Sequence, residues 1–313
     1  MTKEEIKQYI KENQICIVTN STLQYGSLFC ESIKHYIEYC SPENFLIIPG
    51  RKKGQFYYGL NAFIEMITIL LNHNMKYAIY IDEDCFVTDF EALIEEFKKF
   101  KENNSYCIAG PQDGGVICHR NHSQLLVNTF LSFWNIDLIS KYKNDYVSKV
   151  NTQYSYTKFI NELKNNDLYT IMNEFAEKQI EKSKLYRETN YGQNGVPYCD
   201  IVKNNPDNPI ERHQVPYSYC DDTNDTNFEP YYVLEERIIL ATQKPLYYLN
   251  ANDFYSKEET KLDNSGMTSM ILSLDSNKII AYHTWFSRAY SPFINNPLIN
   301  KHTNRINKVI KNI

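Results

Sequence analysis

The sequence predicts an α/β fold with a mostly parallel central sheet. Over the first third of its 313 residues, short apolar runs alternate with longer amphipathic segments. We expect strands at 15–19, 45–48, 77–81 and 106–109, separated by helices at 26–39, 56–73 and 89–102. This alternation is typical of βαβ units, whose strands lie parallel. No glycine-rich phosphate-binding pattern follows the first strand, which argues against a dinucleotide site or a P-loop.

The second half of the chain is less regular. A tight polar turn at 111–115 precedes an expected strand at 116–118, and a helix is expected at 123–133. Residues 190–227 are rich in Asn, Pro, Gly and Tyr, which favours an irregular insertion on the acceptor side of a binding site. Later apolar runs predict a helix at 231–242 and strands at 246–249 and 278–282.

Composition and charge are typical of a soluble globular protein. Hydrophobic residues make up 42% of the chain and charged residues 23%, which is enough for a core. The net charge of −5 gives no reason to expect nucleic acid as a partner. The stretch MTKEEIKQYIKEN lacks the apolar centre of a signal peptide, and the eight cysteines include no C-x-x-C pair. We therefore expect a cytoplasmic protein with reduced thiols.

One acidic motif stands out. The apolar run 77–81 leads directly into Asp82, Glu83 and Asp84. Three adjacent carboxylates beside a buried strand repel one another, and a divalent cation is the natural compensator. Two Asp separated by one residue can both offer oxygen to one hard metal where the backbone turns. The motif therefore predicts a metal site at a strand end, with a solvated acidic loop as the alternative.

The order of these features resembles glycosyltransferases of the GT-A fold, an αβα sandwich that binds a nucleotide sugar. A first strand with a polar turn, a long helix and a D-x-D motif at a strand end follow one another as in that family. Segment 113–116 is similar to the glycine-containing strand that comes next, and a late strand delivers His283. The resemblance covers most of residues 13–135 and 228–290.

The resemblance implies a metal-dependent hexosyl- or N-acetylhexosaminyl-transferase of glycan biosynthesis. Its donor would be a nucleotide sugar, first of all a UDP-sugar, and its acceptor a glycan, a lipid-linked precursor or a protein. One catalytic domain would cover residues 1–313, with a donor-binding half at 1–110, an acceptor and catalytic half at 111–290, and a tail at 291–313.

The resemblance also implies roles for individual residues. Asp84 and His283 would bind Mn²⁺ or Mg²⁺, and Asp82 would touch the metal or the donor ribose. An imidazole ligand favours Mn²⁺. Donor contacts are expected from Thr19, Asn20, Ser21, Arg51, Asp82, Glu83 and Arg288. For the two arginines, a surface charge is the alternative.

The catalytic base depends on the stereochemistry, which stays open. An inverting enzyme needs a carboxylate that takes the acceptor proton. Glu235 and Glu236 resemble the late acidic motif of inverting members, and Asp113 is the other candidate. A solvated helix face is the alternative for the glutamate pair, and a retaining enzyme needs no such base.

Two other functions fit parts of the pattern. The run IYIDEDCFV approximates the motif of haloacid-dehalogenase-like phosphotransferases, in which Asp82 would be the nucleophile. Phe86 stands where that motif usually has Thr or Val. The second alternative is a non-catalytic carbohydrate-binding protein on a decayed transferase fold, which the intact metal ligands argue against.

The C-terminal stretch 301–313 predicts a basic amphipathic helix. Ile306, Val309, Ile310 and Ile313 fall on one helical face, with basic residues around them and no acidic residue. Such a helix can lie on an anionic membrane or join two copies of the chain. Packing on the protein's own core is the alternative.

Overall fold

The computed structural model describes residues 1–21, 26–49, 58–102, 105–112, 125–147, 156–165, 167–178, 230–253, 268–276, 278–284 and 297–313. Within them the chain is an α/β structure, as predicted. The strands are β1 Ile15–Ser21, β2 Phe45–Pro49, β3 Tyr77–Ile81, β4 Cys85–Val87, β5 Ile108–Pro111, β6 Leu131–Asn135, β7 Tyr247–Asp253, β8 Thr268–Leu272 and β9 Ile279–Thr284. The helices are α1 Lys3–Glu12, α2 Gly26–Ile33, α3 Tyr58–Asn72, α4 Phe90–Glu102, α5 Ile136–Ser140, α6 Lys143–Val147, α7 Tyr156–Leu163, α8 168–178, α9 Pro230–Thr242 and α10 Pro297–Asn312.

The strands form a mixed sheet in the order β2-β1-β3-β6-β5-β7-β8-β9-β4. Among the described strands, β1 pairs in parallel with β2 and β3, and β5 pairs in parallel with β7. The other five pairings are antiparallel. The prediction of a mostly parallel sheet is therefore wrong. Strand–helix alternation holds only in the first half of the chain, and the later strands pair mainly with antiparallel neighbours.

The sheet curls back on itself. Strands β3 and β4 are joined by residues 82–84 alone, yet six interstrand steps separate them in the strand order. A flat sheet would hold β3 and β4 about 29 Å apart, at about 4.8 Å per step. The four residue steps from the end of β3 to the start of β4 reach at most about 14 Å. The curl therefore brings β4 and its partner β9 next to the carboxyl end of β3.

Helices cover both faces of the sheet. Along β3, Tyr77, Ile79 and Ile81 pack in one core with α1 and α4. Ala78 and Tyr80 pack in a second core with α3, α5 and α9. Because both faces are buried, every residue of this strand is apolar or aromatic. The acidic turn thus follows a strand that is fixed on both sides.

Several element predictions need correction. The helix expected at 123–133 is wrong, because its described part enters strand β6. Strand β6 is buried along its whole length, and periodicity cannot distinguish such a strand from a buried helix segment. Strand β4 has only three residues, too few for a periodic signal, and was not predicted. His283 lies within β9 rather than after it.

The apolar stripe of the C-terminal helix packs on the protein itself. Ile306 is fully buried in a cluster with Leu28 of α2 and Phe86 of β4, and Ile310 and Ile313 pack against that cluster. The stripe therefore follows the alternative prediction, which is packing on the protein's own core and not contact with a membrane or a second copy of the chain. Among the described residues, no helix is both long and apolar enough to cross a bilayer.

Candidate metal centre

A tight turn carries the three carboxylates. The Asp82 N–H donates to the Phe130 carbonyl at 2.8 Å, and the Cys85 N–H donates to the Asp82 carbonyl at 3.0 Å. The Ser32 hydroxyl in turn donates to the Cys85 carbonyl at 2.7 Å. The turn is thus bonded at its start to the residue preceding β6 and at its end to α2.

The curl of the sheet brings His283 to this turn. Strand β9 pairs with β4 so that His283 lies opposite Cys85. Its Nε2 atom is 3.1 Å from Oδ1 of Asp84. One ligand atom from each of Asp82, Asp84 and His283 lies within 4.8 Å of the other two. The structure therefore brings together the three residues that were predicted as metal ligands.

The spacing of Asp84 and His283 and the chemistry of the whole group fit one divalent cation. Two atoms that each lie about 2.1 Å from an octahedral ion are about 3.0 Å apart when adjacent and about 4.2 Å apart when opposite. The 3.1 Å between Asp84 and His283 matches the adjacent distance. Carboxylate oxygens suit Mg²⁺ and Mn²⁺, and an imidazole nitrogen suits transition metals. The Asp-Asp-His group could hold a metal ion, and Mn²⁺ accepts both kinds of ligand.

The electrostatics of Asp82 also favour a cation. Burial and the neighbouring charge of Asp84 raise the pKa of Asp82 from its ordinary value of 3.8 to about 7. His283, the Glu83 N–H and the Asn20 side chain lower that pKa again, but only in part. A bound cation favours the ionised form of a carboxyl group. A divalent ion would therefore allow both aspartates to be charged at neutral pH.

His283 is held by contacts on two sides. The Phe130 ring stacks on the imidazole with 4.0 Å between the ring centroids and 3° between the planes. The next residue, Thr284, donates its N–H to the Asp84 carbonyl at 3.1 Å. His283 itself is 3% exposed. Phe130 was missed at the sequence level, because it lies in the segment predicted as a helix and carries no motif.

The group lies where open α/β sheets bind ligands. The chain passes from β1 to β2 on one side and then to β3 on the other, so the strand order reverses between β1 and β3. Crevices for ligands form at the carboxyl ends of strands at such a switch point. Thr19 of β1 lies opposite Ile81 of β3, so the residues that follow them are neighbours.

Asn20 connects the two strand ends. Its Oδ1 atom accepts from the Glu83 N–H at 3.0 Å, and its side chain also hydrogen-bonds Asp82. Asn20 and Ser21 are half-buried, whereas Thr19 is fully buried. Asn20 therefore braces the acidic turn. The donor-binding roles predicted for Thr19, Asn20, Ser21, Asp82 and Glu83 stay predictions.

Glu235 and Glu236 lie on α9, and both are fully buried. The alternative of a solvated helix face is therefore wrong for this pair. Oε2 of Glu235 accepts from the Val127 N–H at 3.2 Å. Val127 begins the short segment that leads to Phe130, so Glu235 contacts the segment whose Phe130 carbonyl accepts the Asp82 N–H. The catalytic role predicted for Glu235 and Glu236 stays a prediction.

Three predicted site residues, Asp113, Arg51 and Arg288, lie outside the described residues. The same holds for the irregular insertion expected at 190–227 and for the strand expected at 116–118. Their roles stay predictions.

Comparison with known proteins does not assign the chain to a family. No family model matches the chain, and no curated protein matches it. A solved structure to which the chain is similar is a glycosyltransferase involved in the glycosylation of the major capsid of PBCV-1. The TM-score is 0.29 and the identity 12%, over 44% of this chain and 69% of that one. A likeness of this size does not indicate a function.

Proposed function

We propose that the chain is a metal-dependent glycosyltransferase of the GT-A type, which moves a sugar from a nucleotide-sugar donor to a glycan, lipid-linked or protein acceptor. The observation that carries the proposal is the convergence of Asp82, Asp84 and His283 at the switch point between β1 and β3. A divalent ion stabilises a diphosphate leaving group, and open α/β sheets bind ligands at such a switch point.

The charges support this chemistry. A departing nucleoside diphosphate gains negative charge as the glycosidic bond breaks, and a bound divalent ion supplies Lewis-acid stabilisation of that charge. Asp82 and Asp84 together offer two negative charges, which one divalent ion balances. With Glu83 in the same turn, the ion reduces the negative charge that the donor diphosphate meets at the strand end. Mn²⁺ is the expected ion, with Mg²⁺ as the alternative.

Neighbouring residues supply polar contacts for the donor. Asn20 and Ser21 are half-buried beside the metal group and carry groups that can bind a ribose or a base. Arg51 and Arg288 are proposed for the diphosphate, and a UDP-sugar is the expected donor. For the acceptor proton, Glu235, Glu236 and Asp113 remain the proposed bases. Of these, Glu235 accepts the Val127 N–H.

Turnover of sugar nucleotides is the direct test. The purified chain is incubated with Mn²⁺ and a panel of UDP- and GDP-sugars, and release of nucleoside diphosphate is measured. We expect metal-dependent release with at least one donor, abolished in Asp84→Asn. Asp137→Asn is the matched control, because Asp137 forms an exposed ion pair with Lys141 and its backbone lies beside the start of β3, at the end opposite the acidic turn. Turnover of phosphate esters alone would instead favour a phosphotransferase, and turnover of neither would favour a binding protein.

A further inference from the structure

Phe130 contacts both halves of the metal group. Its backbone carbonyl accepts the Asp82 N–H at 2.8 Å, and its ring lies flat on His283. Phe130 is 2% exposed, and no ligand atom of the group belongs to it. A single residue thus touches the carboxylate side through its backbone and the imidazole side through its ring.

The two rings are stacked closely. Their centroids are 4.0 Å apart and their planes nearly parallel. Such a stack gains attraction when one ring carries positive charge, as in cation–π contacts. A divalent cation bound to Nε2 withdraws electron density from the imidazole and gives the ring partial positive charge.

We propose that Phe130 is a positioning residue of the metal centre. Its ring fixes the plane of His283 so that Nε2 faces Asp84, and the stack strengthens when the imidazole binds a cation. Phe130 therefore raises the affinity for metals that accept a nitrogen ligand. The inference rests on the metal centre of the proposed function, but not on sugar transfer.

A purely structural role makes a different prediction. Phe130 also belongs to the core shared by β3, β6 and α4, so shortening its side chain loosens that core in any case. Phe133 offers a matched control on β6. It is fully buried in the same core and packs against Phe97 and Phe100 rather than against His283. Loss of its ring removes similar apolar volume and leaves the stack on His283 in place.

A double-mutant cycle separates the two roles. Mn²⁺ affinity of the full chain is measured without donor, by the electron paramagnetic resonance signal of free Mn²⁺, for wild type, Phe130→Leu, His283→Ala and the double variant.

Mutation of residues that orient a metal ligand typically costs about 10–100-fold in affinity. We expect a loss of at least about tenfold for Phe130→Leu, and a further loss of less than about twofold when the same change is made in His283→Ala. Phe133→Leu should keep the wild-type affinity within about twofold. Phe130→Met, which fills more of the space, replaces Leu if Phe130→Leu does not fold.

Each outcome decides the proposal. An equal loss from Phe130→Leu with and without His283, or an equal loss from Phe133→Leu, would overturn it and leave the proposed function intact. Absence of Mn²⁺ binding in the wild type would overturn the metal centre as well. If Mn²⁺ binding follows the expected pattern but no sugar nucleotide is turned over, the inference about Phe130 holds and the proposed function fails.

Discussion

Oδ1 of Asp84 and Nε2 of His283 lie 3.1 Å apart, although 199 positions separate the two residues in the chain. The contact exists because β9 pairs with β4, which follows the acidic turn directly. The curl of the sheet places both residues at the end of β3. The proposed metal centre is thus a property of the fold and not of the D-x-D motif alone.

Loss of the imidazole should change metal preference as well as affinity. In His283→Ala the group keeps two carboxylates, which suit Mg²⁺ and Mn²⁺ alike, and loses the nitrogen that favours Mn²⁺. We expect Mn²⁺ affinity to fall by at least about tenfold and Mg²⁺ affinity to fall by less. Calorimetric titration with each ion measures this. His73→Ala, a change at an exposed histidine at the end of α3, is the control and should alter neither affinity.

Asp82 should make the metal-free protein less stable as the pH rises. Its pKa is raised to about 7 in the folded state, so between its ordinary value of 3.8 and about 7 the folded chain holds a proton that the unfolded chain has lost. Stability should therefore fall as the pH rises from 5 to 7, by no more than about 1.4 kcal/mol per pH unit from this group, and level off above.

Urea unfolding in EDTA tests this pH dependence. Asp82→Asn cannot titrate, so its unfolding free energy should not show this fall. The difference in unfolding free energy between the variant and the wild type should therefore widen as the pH rises from 5 to 7. Saturating Mn²⁺ should reverse the trend in the wild type, because metal binding requires the ionised carboxylate. A difference that does not change between pH 5 and 7 would show that Asp82 has an ordinary pKa.

Asn20 should matter for metal binding even in the absence of a donor. Asn20→Ala removes the acceptor of the Glu83 N–H and a hydrogen bond to Asp82. We expect a loss of about 1 kcal/mol in stability and weaker Mn²⁺ binding. Ser21→Ala, at the neighbouring position, should leave Mn²⁺ binding unchanged and affect only nucleotide binding. Equal effects of the two changes on Mn²⁺ alone would contradict the bracing role of Asn20.

Gly110 should not tolerate a side chain. A Cβ atom there would lie 2.8 Å from the Asn128 carbonyl oxygen and 3.0 Å from the Val127 side chain. Backbone cannot yield as a flexible side chain does, so Gly110→Ala should cost about 1–3 kcal/mol. It should also weaken Mn²⁺ binding, because the displaced segment leads to Phe130. Gly26→Ala is the control, since nothing lies within 4 Å of its added Cβ, and chemical unfolding of both variants measures the difference.

The parts of this structure that could be predicted from the sequence are those with local signals. The buried strand β3 ends in acidic residues, and both its apolar run and its charges can be read directly. His283 was identified only through the family resemblance, because the pairing of β9 with β4 has no local signal. Phe130 could not be predicted, since it carries no motif and precedes a strand that is buried on both faces and so has no periodicity. The mixed sheet was missed for a different reason, because the antiparallel pairing of β6 with β3 and β5 depends on contacts between distant parts of the chain.

Joint binding of metal and nucleotide sugar tests the central claim most directly. Melting temperature is measured for the wild type and Asp84→Asn with Mn²⁺, with a UDP-sugar, and with both together. A ligand at one hundred times its dissociation constant stabilises the folded state by about 2.7 kcal/mol. We expect the UDP-sugar to raise the melting temperature of the wild type only when Mn²⁺ is present, and we expect no such rise in Asp84→Asn. An equal rise without Mn²⁺, or an equal rise in Asp84→Asn, would contradict the central claim.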